Sequence, residues 1–394
     1  MNGKKSTMFL LWAGAAISVS EIFTGGLLAP LGYFRGLAAI IAGHLIGTAL
    51  FAGGSYISYR RKLNAMDSVA FSFGKTGGKL VALCNMVQLL GWITILTVQA
   101  GNAISGVFPA LPFRAATFAL ALLQIVWAVI FGTPGSRIND IAVILLGGLC
   151  VLFLAEALRG GSIAPPVSED MNIMLGIELS IAMPVSWLPL AGDYSHKAPD
   201  AVCAAGMPFL GYFLAGCFMY IIGLCIGVSS GTDVFTFIAG SVFRYAACAI
   251  VLLSTVTTNF IALYSAAVSS SQWIKTKRIR VPIVAIGLFV LAVSVFFPIE
   301  QFTLIMEKFL TSITMVFVPV FTLVLLDFFT KKQVFEKSIN WVFVLAVIAG
   351  MIGNWLFARY TVFIPTAMTV LLVSGIFFII RTAAAVKTAK PRAG

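Results

Sequence analysis

Charge is scarce in this chain. Lysine, arginine, aspartate and glutamate together supply 10% of its 394 residues, while hydrophobic types supply 60%. A soluble domain carries roughly a quarter charged residues, so a soluble fold is excluded. Histidine is rarer still, with His44 and His196 alone. The six cysteines, Cys84, Cys150, Cys203, Cys217, Cys225 and Cys248, stand singly and form no C-x-x-C pair. That spacing argues against both a disulfide framework and a metal site. A membrane enzyme should show a clustered nucleophile, metal ligands or an acid–base pair facing one leaflet, and no such constellation exists. No lysine or arginine lies in mid-span to pair an organic anion, and no soluble domain or low-complexity linker interrupts the chain.

What is present is a series of apolar runs of roughly 20 residues, the length that crosses a bilayer. Twelve are expected, at about 8–30, 36–57, 79–103, 115–133, 138–158, 174–192, 205–228, 243–271, 280–298, 305–329, 340–358 and 361–381. The reading is an all-α polytopic membrane protein with 12 transmembrane helices in a single domain. The first run is a span rather than a cleaved signal, because it is long, ends in Gly-Gly and is followed by further spans. The basic tail from Thr382 to Gly394 is expected to be disordered.

Orientation follows from the basic residues. Of the 26 lysines and arginines, twenty fall on the side of the N-terminus and six on the other (Arg35, Arg114, Arg159, Arg244, Lys308 and Arg359). Both termini are therefore expected in the cytoplasm. The same asymmetry accounts for the net charge of +12 without a nucleic-acid partner.

Two spans carry interruptions. Span six holds Pro184 and Pro189, and each proline removes a helix hydrogen bond and leaves a carbonyl open. Such carbonyls survive in a membrane only against protein groups or a water-filled cavity. Span one holds Ser18, Ser20, Glu21, Thr24, Gly25 and Gly26 deep in its apolar run. Paired glycines weaken a helix by about 1 kcal/mol each, so span one is expected to break there. The interruptions stand five spans apart. That spacing suggests an inverted repeat with discontinuous helices 1 and 6: repeat one over 8–158, repeat two over 174–329, and appended helices over 340–381.

Polar groups inside the spans supply the candidate site. Glu21 is the costliest, at ~2.5 kcal/mol or more for a mid-bilayer carboxyl. It could carry a proton, accept from a substrate amino group, or simply pack as a neutral acid. Glu156 and Glu178 lie nearer span ends and read as interfacial. His44 reads as a proton shuttle or, by preference, as a structural histidine. In span eight Ser254, Thr257 and Thr258 share one helical face and could bind Na+ with carbonyls from a broken neighbour. Hydroxyls in such helices also bond their own i−4 carbonyl. Gln88 and Trp92, one turn apart in span three, offer a hydrogen-bonding amide beside an aromatic ring, and Trp187 is a second stacking candidate. With Asn259 in span eight, they fit a planar, neutral, hydrogen-bonding small molecule.

In order along the chain, Thr24-Gly25-Gly26, Phe71-Ser72-Phe73-Gly74, Gln88 with Gly91-Trp92, Ser186-Trp187 through Asp193-Tyr194-Ser195, and Thr257-Thr258-Asn259 followed by Ala262-Leu263-Tyr264 form a recognisable set. The chain resembles the nucleobase:cation symporter-1 family, in particular its cytosine permeases and the shorter permeases assigned to hydroxymethylpyrimidine, the thiamine precursor. The resemblance implies a five-plus-five inverted-repeat, LeuT-like transporter fold, alternating access, and a site between spans one, three, six and eight. It implies Ser254, Thr257 and Thr258 as sodium-ligand positions, completed by carbonyls of span one. For substrate it implies Gln88 or Trp92, with Asn259. Added to the residue reading, the substrate candidates are Glu21, Gly25, Gln88, Trp92, Ser186, Trp187 and Asn259. The chain departs from the family where Phe260 and Ile261 follow Asn259, since relatives carry a further polar residue there. The expected function is a symporter importing a pyrimidine-type heterocycle, hydroxymethylpyrimidine first and cytosine or another nucleobase second, with no cofactor beyond a coupling Na+ or H+. A membrane enzyme or a channel is the rival reading.

Overall fold

A computed structural model describes residues 5–131, 137–159, 171–274, 276, 278–330, 338–360 and 362–389. Among these residues there are helices and connecting turns and no strand. Of the basic residues counted toward orientation, Lys4, Lys275, Lys277, Lys331, Lys332, Lys337, Lys390 and Arg392 lie outside the described set.

All twelve expected crossings are helical. Span one is Lys5–Ala16 followed by Val19–Leu27, and span two is Tyr33–Arg61. Spans three to five are Lys75–Val107, Phe113–Phe131 and Arg137–Arg159. Span six is Ile173–Ser195 and span seven Val202–Ser230. Spans eight to twelve are Arg244–Ser270, Arg280–Val295, Phe302–Phe329, Trp341–Tyr360 and Pro365–Ala389. The last helix corrects the expectation of a disordered tail from Thr382, since the alanine-rich stretch to Ala389 carries high helix propensity and stays wound.

The two interruptions differ in kind. Span one bends by 54° at Ile17-Ser18, and the cause is not the glycine pair. Ser18 is extended (φ −140°, ψ 155°) and caps the second half, its hydroxyl accepting from the Glu21 N–H at 3.3 Å. Ser18-Val-Ser-Glu21 is thus the S-x-x-E pattern that starts a helix. Span six tightens instead: its α-helix ends at Trp187, a 3₁₀ turn covers Leu188–Leu190, and a short helix covers Ala191–Ser195.

Gly25 and Gly26 lie within the helix and serve packing. A Cβ on Gly25 would stand 2.2 Å from the Tyr220 carbonyl oxygen, and one on Gly223 would stand 1.8 Å from that of Ile22. Spans one and seven therefore touch backbone to backbone. Spans two and six meet the same way, through Gly43 against Ser180 and Gly47 against Pro184, a G-x-x-x-G face.

These contacts build two bodies. Spans one, two, six and seven pack on each other, as do spans three, four, eight and nine. The packing repeats on a shift of five: span two lies on six as seven lies on one, and three on eight as four on nine. A short helix follows the second span of each half, Ala65–Phe73 at the end of the protein bearing the N-terminus and Val234–Gly240 at the opposite end. Asn64 and Asp233 cap them through Asp67 N–H (2.8 Å) and Phe235 N–H (2.9 Å). Gly74, at φ 80°, makes the left-handed turn that leads from Ala65–Phe73 into span three.

Spans eleven and twelve pair with each other and lie on span ten. Ser72 donates to Asp327 of span ten at 2.8 Å, and Asn340, ahead of span eleven, donates to the Ser72 carbonyl at 2.9 Å. The Phe71–Gly74 segment is therefore a structural joint. Glu178 is another. It is buried and accepts from Thr366 N–H (3.0 Å) and Oγ1 (2.7 Å), supplying a carboxylate to the exposed donors at the start of span twelve.

Gly223→Val is expected to lower stability by at least about 1–3 kcal/mol through overpacking against Ile22. Gly375→Val, where a Cβ meets nothing within 4 Å, should leave the thermal unfolding midpoint in detergent unchanged. Equal midpoints for the two variants would show that the close approach carries no stability.

Candidate substrate and cation site

The bend in span one places its carbonyls against span eight. Thr258 Oγ1 lies 3.4 Å from the Gly14 carbonyl oxygen, just before the break. That is long for an O–H···O hydrogen bond. Two oxygens bound at right angles to one cation, each at roughly 2.4 Å, stand about 3.4 Å apart. Thr257 Oγ1 lies 3.1 Å from the Ser254 carbonyl and 2.9 Å from that of Leu253, and Ser254 Oγ lies 3.2 Å from the Val251 carbonyl. The donors at this junction are neutral oxygens, a set that suits a hard monovalent cation better than a soft metal. Of the three residues, only Thr258 reaches across to span one by a hydrogen bond.

Span three faces span six through Gln88. Its Nε2 donates to the Ser186 carbonyl at 2.8 Å and to Asn85 Oδ1 at 3.0 Å. Asn85 is fixed in turn by Ser269 of span eight at 2.9 Å. The amide is thereby oriented, and its Oε1 is buried with no hydrogen-bond partner. Trp92, one turn further along, packs edge-on against Phe309 of span ten (centroids 5.2 Å apart) and also keeps an unpartnered ring N–H. Ser186 itself spends its hydroxyl on Met183 of the same helix at 2.5 Å. Its carbonyl, just before the 3₁₀ turn, is the group span three uses.

Trp187 points elsewhere, into an aromatic cluster with Trp12 (6.0 Å) and Tyr212 (6.5 Å), next to Phe51 and Tyr194. This cluster packs the half of the protein nearer the N-terminal end. Phe23, Phe235, Phe302 and Phe297 pack the opposite half. Gln88 and the Ser186 carbonyl meet in the layer where span three faces span six, with Trp92 one turn along.

The other expected site residues are not brought to that layer. Asn259 turns to the far side of span eight, where its Nδ2 donates to Gln124 Oε1 (3.0 Å), Thr97 Oγ1 (3.2 Å) and the Ile93 carbonyl (3.3 Å). Gly25 is filled by the span-seven backbone. Glu21 is directed to spans two and seven, towards His44 and Tyr212, while Ser20, its neighbour, faces Gln99 of span three. Among residues that sequence reasoning missed, Asn85 carried a usable signal, since Asn85 and Gln88 stand one turn apart in an apolar run. Gln124 is isolated in its span and carried none, and nothing in the sequence paired Tyr212 with Glu21.

The Asp193-Tyr194-Ser195 segment proves to be a latch at the N-terminal end. Asp193 accepts from the Ala65 N–H at 3.1 Å, Tyr194 donates to the Ile261 carbonyl at 2.9 Å, and Ser195 donates to the Ser55 carbonyl at 3.1 Å. One short segment thus ties the end of span six to spans two and eight and to the helix Ala65–Phe73.

The comparisons with known proteins agree with this fold. The structure superposes on Mhp1, a nucleobase-cation-symport-1 family transporter in a closed conformation with bromovinylhydantoin bound, with a TM-score of 0.79 at 16% identity, covering 98% of this chain and 93% of that one. A Na+-coupled sialic acid symporter gives a TM-score of 0.69 at 13% identity over 95% of this chain and 88% of its own. The fold is therefore the LeuT-like transporter fold. In sequence, YxlA of Bacillus subtilis, assigned as a purine-cytosine permease, is 23% identical over 289 residues, which is 68% of this chain and 62% of that protein. The vitamin B6 transporter TPN1 of Saccharomyces cerevisiae is 22% identical over 232 residues, 56% of this chain and 40% of its own. The matched stretches thus span less than two thirds of either relative. A family profile described as permeases for cytosine and purines, uracil, thiamine and allantoin matches residues 2–377. The chain belongs to that family of membrane permeases, the nucleobase:cation symporters.

Proposed function

We propose that the chain imports a pyrimidine-type heterocycle, hydroxymethylpyrimidine first, by symport with Na+ or H+. The observation that carries this reading is the fixed amide of Gln88. Its nitrogen is held by Ser186 and Asn85, which leaves a buried acceptor one turn from Trp92. A ring N–H or exocyclic amino group would pair that acceptor while the ring lies against the indole. A buried acceptor that a substrate satisfies also rejects analogues lacking the donor.

Hydroxymethylpyrimidine is placed ahead of cytosine because span eight offers little more polarity. The amide nitrogen of Asn259 is committed to Gln124 and Thr97, while its Oδ1 is buried with no hydrogen-bond partner, and Phe260 and Ile261 are buried and apolar. A ring with alkyl substituents suits such walls better than one with polar groups on every edge. The vitamin B6 transporter among the relatives, named for another small heterocycle that carries hydroxymethyl groups, supports the same choice. Cytosine is the second reading, from the family description.

For the cation, Thr258, Thr257 and carbonyls at Gly14 and Ser254 are the ligands of an Na+ that would bridge the two bodies, with Trp92 and Gln88 as the substrate contacts. Rocking of spans one, two, six and seven against three, four, eight and nine would open the layer to each side in turn. The N-terminal end, rich in lysine and arginine, is the cytoplasmic end in this reading, with both termini there and the chain in a bacterial inner membrane.

Uptake into proteoliposomes tests the assignment. Labelled hydroxymethylpyrimidine should be accumulated and be displaced by its own unlabelled form at lower concentration than by cytosine, purines or hydantoins. Exchange of cytosine without exchange of hydroxymethylpyrimidine would reverse the order of the two readings. Trp92→Ala should raise the half-saturating concentration at least tenfold, about 1.4 kcal/mol; wild-type kinetics would remove Trp92 from the pocket. Thr258→Ala should abolish stimulation of uptake by Na+ and Thr258→Ser should keep it. Unaltered Na+ stimulation in the alanine variant would rule out this ligand set.

A further inference from the structure

A carboxyl, an imidazole and a phenol meet inside the first body, and the Na+ ligands proposed above use none of them. Glu21 and His44 are both almost wholly buried. Tyr212 donates its hydroxyl to Glu21 Oε1. His44 Nδ1 lies 3.1 Å from the Ile40 carbonyl of its own helix. A carbonyl only accepts, so this nitrogen carries the hydrogen, and in a neutral ring Nε2 is then a bare lone pair. That lone pair faces Glu21 Oε2 across 3.9 Å, and neither atom has a hydrogen-bond partner. Two acceptors facing each other in a buried site repel. A single proton between them turns the pair into donor and acceptor.

Resting on the transport reading above, we propose that Glu21, His44 and Tyr212 form a proton-carrying site, loaded with one proton between Glu21 Oε2 and His44 Nε2. On loading, an O–H bond of a hydronium ion breaks at the non-cytoplasmic side and an O–H or N–H bond forms at this pair. On unloading the proton returns to water at the cytoplasmic side. The site's charge passes from −1 to 0 and back, and no electrons move.

The surroundings support a single titrating pair. Span seven adds Tyr212, Tyr220 and Cys217. Tyr220 packs edge-on against His44 at 4.6 Å and donates to the Leu179 carbonyl at 3.1 Å. Span two contributes His44 alone. Span three meets this part of span one through Gln99 and span eight through Thr258, neither of which titrates. Span six meets Tyr212 through Trp187, and its Glu178 is committed to Thr366. Spans one, two and seven belong to one body, so the site keeps its geometry while access to it alternates. The Thr258–Gly14 junction, by contrast, straddles the two bodies.

Infrared difference spectroscopy of the purified full-length protein, titrated over about pH 5 to 8, reads the site without any substrate. A protonated-carboxyl band is expected that disappears in Glu21→Gln, persists in Glu178→Gln, and changes its titration midpoint in His44→Gln. Tyr212→Phe should shift its frequency, which keeps the test available if Glu21→Gln fails to fold. No titrating band, or a band surviving Glu21→Gln, would overturn the site. In vesicles holding a pH dye, hydroxymethylpyrimidine entry should acidify the lumen by about one proton per substrate, and Glu21→Gln should abolish this. Substrate entry without acidification in the wild type would overturn the coupling role. An intact band with no hydroxymethylpyrimidine flux would support the proton site and instead refute the substrate assignment.

Discussion

A helix that loses its winding inside a membrane must find new partners for the groups it releases. Span one loses its winding at Ile17-Ser18, and the rest of the structure is arranged around where those partners come from. Before the break, the Gly14 carbonyl meets a hydroxyl of span eight. At the break, Ser18 caps the new helix with its own side chain. After it, the glutamate that would ordinarily complete a capping box turns outward to spans two and seven. One interruption thus faces both bodies, which is the placement that coupling an ion to a substrate demands.

The tight glycine contacts explain how such an interruption is tolerated. Spans one and seven, and spans two and six, touch at backbone distance, so the first body is held by close packing rather than by the continuity of any single helix. Small residues allow this where lipid supplies no hydrophobic drive between helices. The latch of Asp193, Tyr194 and Ser195 and the joint at Ser72 close the N-terminal end with hydrogen bonds that cross between elements. Hydrogen bonds of this kind can be exchanged during a conformational cycle, whereas the backbone contacts within each body cannot.

Much of this was legible in the sequence, for identifiable reasons. The twelve crossings and the five-span offset could be read because hydropathy and helix interruption are local properties. The interruption of span one was legible, but it was expected at Gly25-Gly26, seven residues past Ser18, when Ser18 and Glu21 carried the actual helix-start signal. What a residue touches was not legible. Asn259 is adjacent to Thr258 in sequence, yet one helical step of 100° sends it to span four instead of span one. Glu21 and His44 were each noticed singly, but 23 positions of chain separate them and only the fold brings them together. Glu178 lies near a span end, but its partner, Thr366, belongs to a helix appended much later and could not be read from the sequence.

The central claim is that a cation site at the break of span one and a heterocycle site against span three are energetically linked. Linkage is reciprocal: a cation that tightens substrate binding by some factor must itself be tightened by substrate by the same factor. Titration calorimetry of the purified protein with hydroxymethylpyrimidine, repeated with and without Na+ and at acid and neutral pH, measures that factor directly. The account predicts a substrate affinity that rises at least severalfold when the coupling ion is supplied. Measurable substrate binding with the same affinity under every ionic condition would contradict it.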